Sequence, residues 1–168
     1  PSSVRQYYEE LDSQDEGYDD EGRSDVYRFV SFKSDGQVLT PEQLLRYDEN
    51  VKTHTEALNQ RRPDPITLMP FQVLACLMAE AYLDRVVNDR EAFLTNLNKF
   101  VNRQNEEKGR IKFPEFDDSD LDKLAFWMAT GSGKTLLMHI NYYQYLEYVE
   151  DLDDLPENIL LVTPNEGL

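Results

Sequence analysis

Cysteine is almost missing from the chain: Cys76 is the only one among 168 residues. One thiol cannot close an intrachain disulfide or build a cysteine-based zinc site, and it suits a reducing, intracellular setting. Histidine is nearly as scarce. His54 and His139 stand far apart with no companion ligands, so a histidine metal site is not expected. No run approaches the roughly 18 consecutive apolar residues of a membrane span, and the polar N-terminus lacks the apolar core of a secretory signal. Basic residues are also in deficit, with 17 Lys and Arg facing 33 Asp and Glu for a formal charge of −16. Phosphate affinity comes from cations that displace counterions, so broad nucleic-acid binding is excluded and any such contact has to be local. These absences together predict a cytoplasmic protein with no membrane association. Hydrophobic residues, at 40%, suffice for a globular core. A chain opening on Pro1 is expected to be processed or part of something longer.

The acidic cluster Asp15, Glu16, Asp19, Asp20 and Glu21, with Gly17 and Gly22 beside it, marks residues 1–25 as a flexible tail. It offers too little apolar area to offset the entropy of ordering. Residues 26–65 form a second segment. Its β-formers at 26–32, followed by Ser34-Asp35-Gly36, predict a strand and turn with a return strand at 37–39. Thr40-Pro41-Glu42-Gln43 then combines an N-cap, a first-turn Pro and a capping-box Gln, so a helix runs from there to about Tyr47 or beyond. Arg61-Arg62-Pro63-Asp64-Pro65 reads as a linker. Beyond it Phe71, Leu74, Leu77, Met78 and Ala81 recur at i, i+3, i+4 spacing, which predicts an amphipathic helix beginning near Pro70, and residues 89–104 repeat the pattern. The short apolar run at 124–128 suits a buried parallel strand, and residues 159–162 suit another.

Residues 128–135 read Met-Ala-Thr-Gly-Ser-Gly-Lys-Thr, and the helical pattern Leu136, Leu137, Ile140 and Tyr145 follows them. A strand, a glycine-rich turn and a helix are the context that a phosphate-binding loop requires. Gly131 and Gly133 let the backbone curl without Cβ clashes, so successive N–H groups point inward as an anion nest at the positive end of the helix. The Lys134 ammonium reaches the β and γ phosphates, and the Thr135 hydroxyl ligates a Mg²⁺ ion that keeps several waters. At Ser132 a small polar side chain suffices. The stretch Thr130, Gly131, Ser132, Gly133, Lys134 and Thr135 is therefore the expected ATP and Mg²⁺ site, with Lys134 and Thr135 closest to the chemistry.

The generic loop has Gly where Met128 stands. With Met-Ala-Thr in that place, the segment resembles motif I of the superfamily 2 DEAD/DEAH-box helicases and translocases, and it is most similar to the motor subunits of type I and type III restriction enzymes. Leu68-Met69-Pro70-Phe71-Gln72 resembles the Pro-aromatic-Gln segment upstream of motif I in that family, where the Gln reads adenine. Its spacing from Lys134 is longer than usual, which marks residues 88–121 as a helical insertion. Residues 158–168, with a strand ending in Thr163-Pro164, resemble motif Ia, which touches the phosphate backbone of a nucleic-acid strand. Taken alone, Gln72 also suits an exposed position in a first helical turn, and Pro164 an ordinary strand end.

The resemblance implies an α/β fold over residues 66–168: a partial RecA-like P-loop domain, parallel strands with flanking helices, preceded by a small α+β or partly disordered N-terminal segment. It implies the ATP-binding N-terminal part of a DNA helicase or translocase of restriction-enzyme type, with DNA and other subunits of a restriction or defence complex as partners. The Asp-Glu box and Arg finger of such motors are not within these 168 residues, so the chain alone is expected to be inactive. A different class of function stands beside it, a non-hydrolysing nucleotide-binding or protein-interaction module.

Overall fold

The computed structural model describes residues 9–33, 39–108 and 112–150. Their helices are α1 (Asp25–Lys33), α2 (Pro41–Asn59), α3 (Pro70–Asn88), α4 (Arg90–Lys108) and α5 (Lys134–Val149), with a 3-10 turn at Asp118–Asp122 and a helical turn over residues 9–12. The helices α3 and α5 pack along each other, α2 packs on both, α1 rests on α2 and α3, and α4 rests on α3. Leu44, Tyr47 and Val51 from α2, Val73, Cys76 and Leu77 from α3, and Leu137 and Ile140 from α5 share one apolar core. Burying a side chain of the size of Leu77 or Ile140 stabilises by roughly 1.5–3 kcal/mol relative to exposure. No helix among the described residues is long and apolar enough to cross a membrane.

This architecture corrects the α/β expectation. The described residues form no sheet and no parallel strands, and their only strand-like pairing is one antiparallel bridge between Tyr18 and Ser24. The expected strand at 26–32 is helix α1. Its Val26, Phe29 and Val30 are buried at i, i+3, i+4 spacing while Phe32 is 86% exposed, so one helical face, not alternate residues, meets the core. The Ser24 hydroxyl accepts the Tyr27 N–H at 3.0 Å, and Asp25 and Lys33 suit the two ends of the dipole. Of the expected turn and return strand at 34–39, residues 34–38 lie outside the described residues and Leu39 is buried. Residues 124–128 belong to no helix and to no ladder among the described residues, and Trp127 is fully exposed. The strand at 159–162 also lies outside the described residues. A partial RecA-like domain therefore does not describe this structure.

Capping accounts for where α2 and α3 begin. Gln43 N–H donates to Thr40 Oγ1 at 3.2 Å and Thr40 N–H donates to Gln43 Oε1 at 3.0 Å, a complete capping box ahead of Pro41. The helix then runs on to Asn59, because Leu44, Tyr47, Asp48, Val51, His54 and Thr55 keep one buried face through the polar stretch. Asn59 closes the connection to α3 by donating to the Ile66 carbonyl and accepting the Ile66 N–H, both at 2.9 Å. Upstream, Asp48 accepts from Ser24 N–H at 2.8 Å and from the Ser24 hydroxyl at 2.5 Å, which fastens the start of α1 to α2. Leu11 is buried in the core, and the Lys52 ammonium lies over the Tyr18 ring, so part of the acidic stretch packs on the helices.

A polar seam runs through the contact of α2, α3 and α5. Glu80, fully buried, accepts from Asn50 Nδ2 at 3.1 Å and from the Tyr148 hydroxyl at 2.9 Å, both on Oε2. Gln144, also fully buried, donates to the Cys76 carbonyl at 3.0 Å. One turn along α3, Asp84 accepts from the Tyr47 hydroxyl at 2.5 Å and from Asn88, and pairs with Arg46 at 2.9 Å. Burial pushes Asp84 up, but these donors and the guanidinium outweigh it and hold its carboxyl below the usual range.

Candidate functional site

Two glycines and a helix start shape the loop at 129–135. Gly131 (φ +82°) and Gly133 (φ +84°) both lie in the left-handed region, which residues with a Cβ rarely adopt. They turn the chain so that Gly133 becomes the N-cap of α5, its carbonyl accepting the Leu137 N–H at 3.0 Å. No side chain caps this end, and its first turn carries no acidic residue. The orphan N–H groups and the positive end of the dipole are thus left to an outside acceptor. Ser132 tightens the turn, with both its N–H and its hydroxyl donating to the Ala129 carbonyl, at 3.3 and 2.7 Å.

The Lys134 ammonium folds back over the loop, donating to the Ala129 carbonyl at 2.8 Å and the Met128 carbonyl at 3.3 Å. Its partners are neutral carbonyls, so its charge is not cancelled there by a carboxylate. Thr130, Lys134 and Thr135 are exposed, and a Cβ built on Gly131 would meet nothing within 4 Å, so the outer side of the loop is open. An uncapped helix start, a cation paired with no carboxylate and an open glycine turn fit a polyphosphate.

Gln72 is brought to this loop from the first turn of α3. Its Nε2 donates to the Ser132 carbonyl at 2.9 Å, and its Oε1 accepts the Met69 N–H at 2.9 Å. The side chain is buried, and its Nε2 would lie 2.5 Å from a Cβ on Gly133. The carboxamide that the resemblance assigns to adenine therefore holds the loop against α3, with one N–H and one lone pair uncommitted. Six of the expected site residues lie in one loop and a seventh clamps it. Thr163 and Pro164 lie outside the described residues.

No group of three or more His, Cys, Asp or Glu side chains among the described residues could hold a metal ion. The Thr135 hydroxyl is the metal ligand this loop offers, so Mg²⁺ fits here only in company with phosphate oxygens and water. The polar seam is what sequence reading missed. Glu80 and Asp84 in α3 and Gln144 in α5 fall at core positions among apolar residues, and a polar residue inside an apolar stripe was the available signal. Comparison with known proteins gave no match to a family model, to a curated protein or to a solved structure.

Proposed function

We propose that the chain binds ATP with Mg²⁺ through the loop at 130–135, as the nucleotide-binding part of an ATP-dependent helicase or translocase that acts on DNA. The observation that carries this reading is the Gln72 to Ser132 contact, which joins two segments that the sequence singled out separately. In this reading the N–H groups at the start of α5 and the Lys134 ammonium hold the β and γ phosphates. The Thr135 hydroxyl supplies one ligand to Mg²⁺, which when bound neutralises phosphate charge. Gln72 fixes the loop from α3 and keeps Gly133 in its left-handed turn. Thr163 and Pro164 contact the DNA strand, and the other subunits of a restriction or defence complex in the cytoplasm complete the machine.

The fold that the family resemblance implied is not part of this proposal. A second reading stands beside it, a module that binds nucleotide without hydrolysing it. Equilibrium titration of the chain with a fluorescent ATP analogue and Mg²⁺ tests the shared step. Saturable binding that Lys134→Ala weakens about tenfold or more supports it, whereas binding indifferent to Lys134 removes it. DNA-stimulated turnover by the longest reading frame containing the chain, lost in Lys134→Ala, separates the motor from the binding module.

A further inference from the structure

Helix α4 grips a later stretch of the chain with a row of side-chain amides. Asn105 donates from Nδ2 to the Phe113 carbonyl at 2.9 Å and accepts the Phe113 N–H on Oδ1 at 2.8 Å. Asn98 does the same for Phe116, at 2.9 and 2.8 Å. Between them Asn102 donates from Nδ2 to the Glu115 carboxylate at 2.6 Å. The three amides fall on one face of the helix, at i, i+4 and i+7, and residues 113–116 run back along it.

The pitch of the two partners explains the fit. Seven positions separate Asn98 from Asn105, about 10.5 Å along a helix, and three separate Phe113 from Phe116, about 9 Å in the polyproline conformation. Three residues also complete one turn of a polyproline chain, so the main-chain groups of both Phe residues come to the same side. Pro114 fixes its own φ in that region and biases Phe113 towards it. The outer two Asn side chains thus read main chain alone, and Asn102 reads the acidic side chain between.

The seated segment is lightly held. Residues 112–119 are all exposed, so water competes for these hydrogen bonds and the segment opens at little cost. Beyond it the chain is tied down again: Arg90 pairs with Asp118 and Asp122, and the Tyr82 hydroxyl donates to the carbonyl of buried Leu121 at 2.8 Å. Residues 113–116 can therefore lift without disturbing the loop at 129–135. While seated they leave open an apolar pocket of about 590 Å³, walled by Phe113 and Phe116 and by Phe100 and Val101 of α4. A second copy carries the same segment but also the same charge of −16, which opposes its approach. We infer that the Asn98, Asn102 and Asn105 face of α4 is a reading site for a polyproline-type peptide of the pattern aromatic-Pro-acidic-aromatic. The chain fills the site with its own residues 113–116, and a partner protein bearing the same pattern takes it by displacing them.

Tethered in the same chain, the segment competes at a high effective concentration, so the test first disables it. Phe113→Pro with Phe116→Pro removes the two N–H donors and leaves α4 untouched. In that double variant the side-chain amide resonances of Asn98 and Asn105 should move while the helical circular dichroism holds. A capped Lys-Phe-Pro-Glu-Phe-Asp peptide, the sequence of residues 112–117, should then restore them saturably. The same peptide should bind the wild type about tenfold more weakly, because the tethered segment competes. Binding to the double variant should fall about tenfold when Asn105→Leu is added, or when both Phe residues of the peptide are N-methylated. In the wild type, whatever becomes of the variant, the Phe113 and Phe116 amides should exchange with solvent faster than the amide of Leu77 in the core. Resonances that the peptide does not restore, equal binding of the N-methylated peptide, or exchange at Phe113 as slow as at Leu77 would each overturn the inference. So would a wild-type mass that rises with protein concentration and falls back in the double variant, by making a second copy the occupant.

Discussion

Gly133 meets two constraints where Gly131 meets one. Both have positive φ, but only at Gly133 would a Cβ press on another group, the Gln72 amide at 2.5 Å. Gly131→Ala should therefore cost about 1 kcal/mol of stability, the backbone cost alone. Gly133→Ala should cost about 2 kcal/mol, because it also displaces Gln72 from the Ser132 carbonyl. Urea unfolding checks both, and in a Gln72→Ala background the two glycine substitutions should become equal. Glu80 makes a second prediction at this scale. Its Oε1 and the Oε1 of Gln144 are buried acceptors without donors among the described residues. Burial raises the Glu80 carboxyl above its usual 4.5, against the Tyr148 and Asn50 donors. As pH rises from 4.5 towards the raised folded value, the unfolded chain releases this proton and the folded chain keeps it, so stability is lost across that window. Glu80→Gln removes the titration and supplies an N–H for a neighbouring acceptor. It should stabilise by about 1 kcal/mol at neutral pH, a gain that thermal melts should show vanishing below pH 4.5.

Among the elements, α2 tests how far local chemistry goes. Thr40→Ala removes one half of the capping box and should cost about 1 kcal/mol in a thermal melt, with fraying confined to the first turn of α2. That helix start, the start of α3 at Pro70 and the turn at 131–133 were legible because each is set by residues within a few positions of one another. Helix α1 was misread because its residues are β-formers by composition, while the i, i+3, i+4 spacing of Val26, Phe29 and Val30 carried the decisive information. Residues 124–128 were misread for a different reason. An apolar run announces that it suits burial but not that a partner is present, and no ladder forms here among the described residues. The contact between Gln72 and Ser132 was half legible: both residues were named, but nothing local says that a helix start will meet a loop so far along the chain.

Over the whole molecule, charge and burial set the behaviour. A chain at −16 repels itself, so added salt should raise the melting temperature until screening is complete, with a steeper response at low ionic strength. Cys76 on α3 is fully buried, and burial, followed by the charge of Glu80, pushes its thiol up to about 12. It should resist alkylation in the folded chain and react at the rate at which the seam opens, which mass spectrometry after timed labelling would measure. Because the loop leads into α5, is clamped to α3 by Gln72, and α5 is tied back to the Cys76 carbonyl by Gln144, anything that holds the loop also holds the helix that carries this sulfur. A ligand of the loop that favours the closed seam must then slow the thiol's loss in proportion to its occupancy. The one cysteine becomes a distant gauge, on which a molecule that never touches it writes a complete binding curve as a set of half-lives.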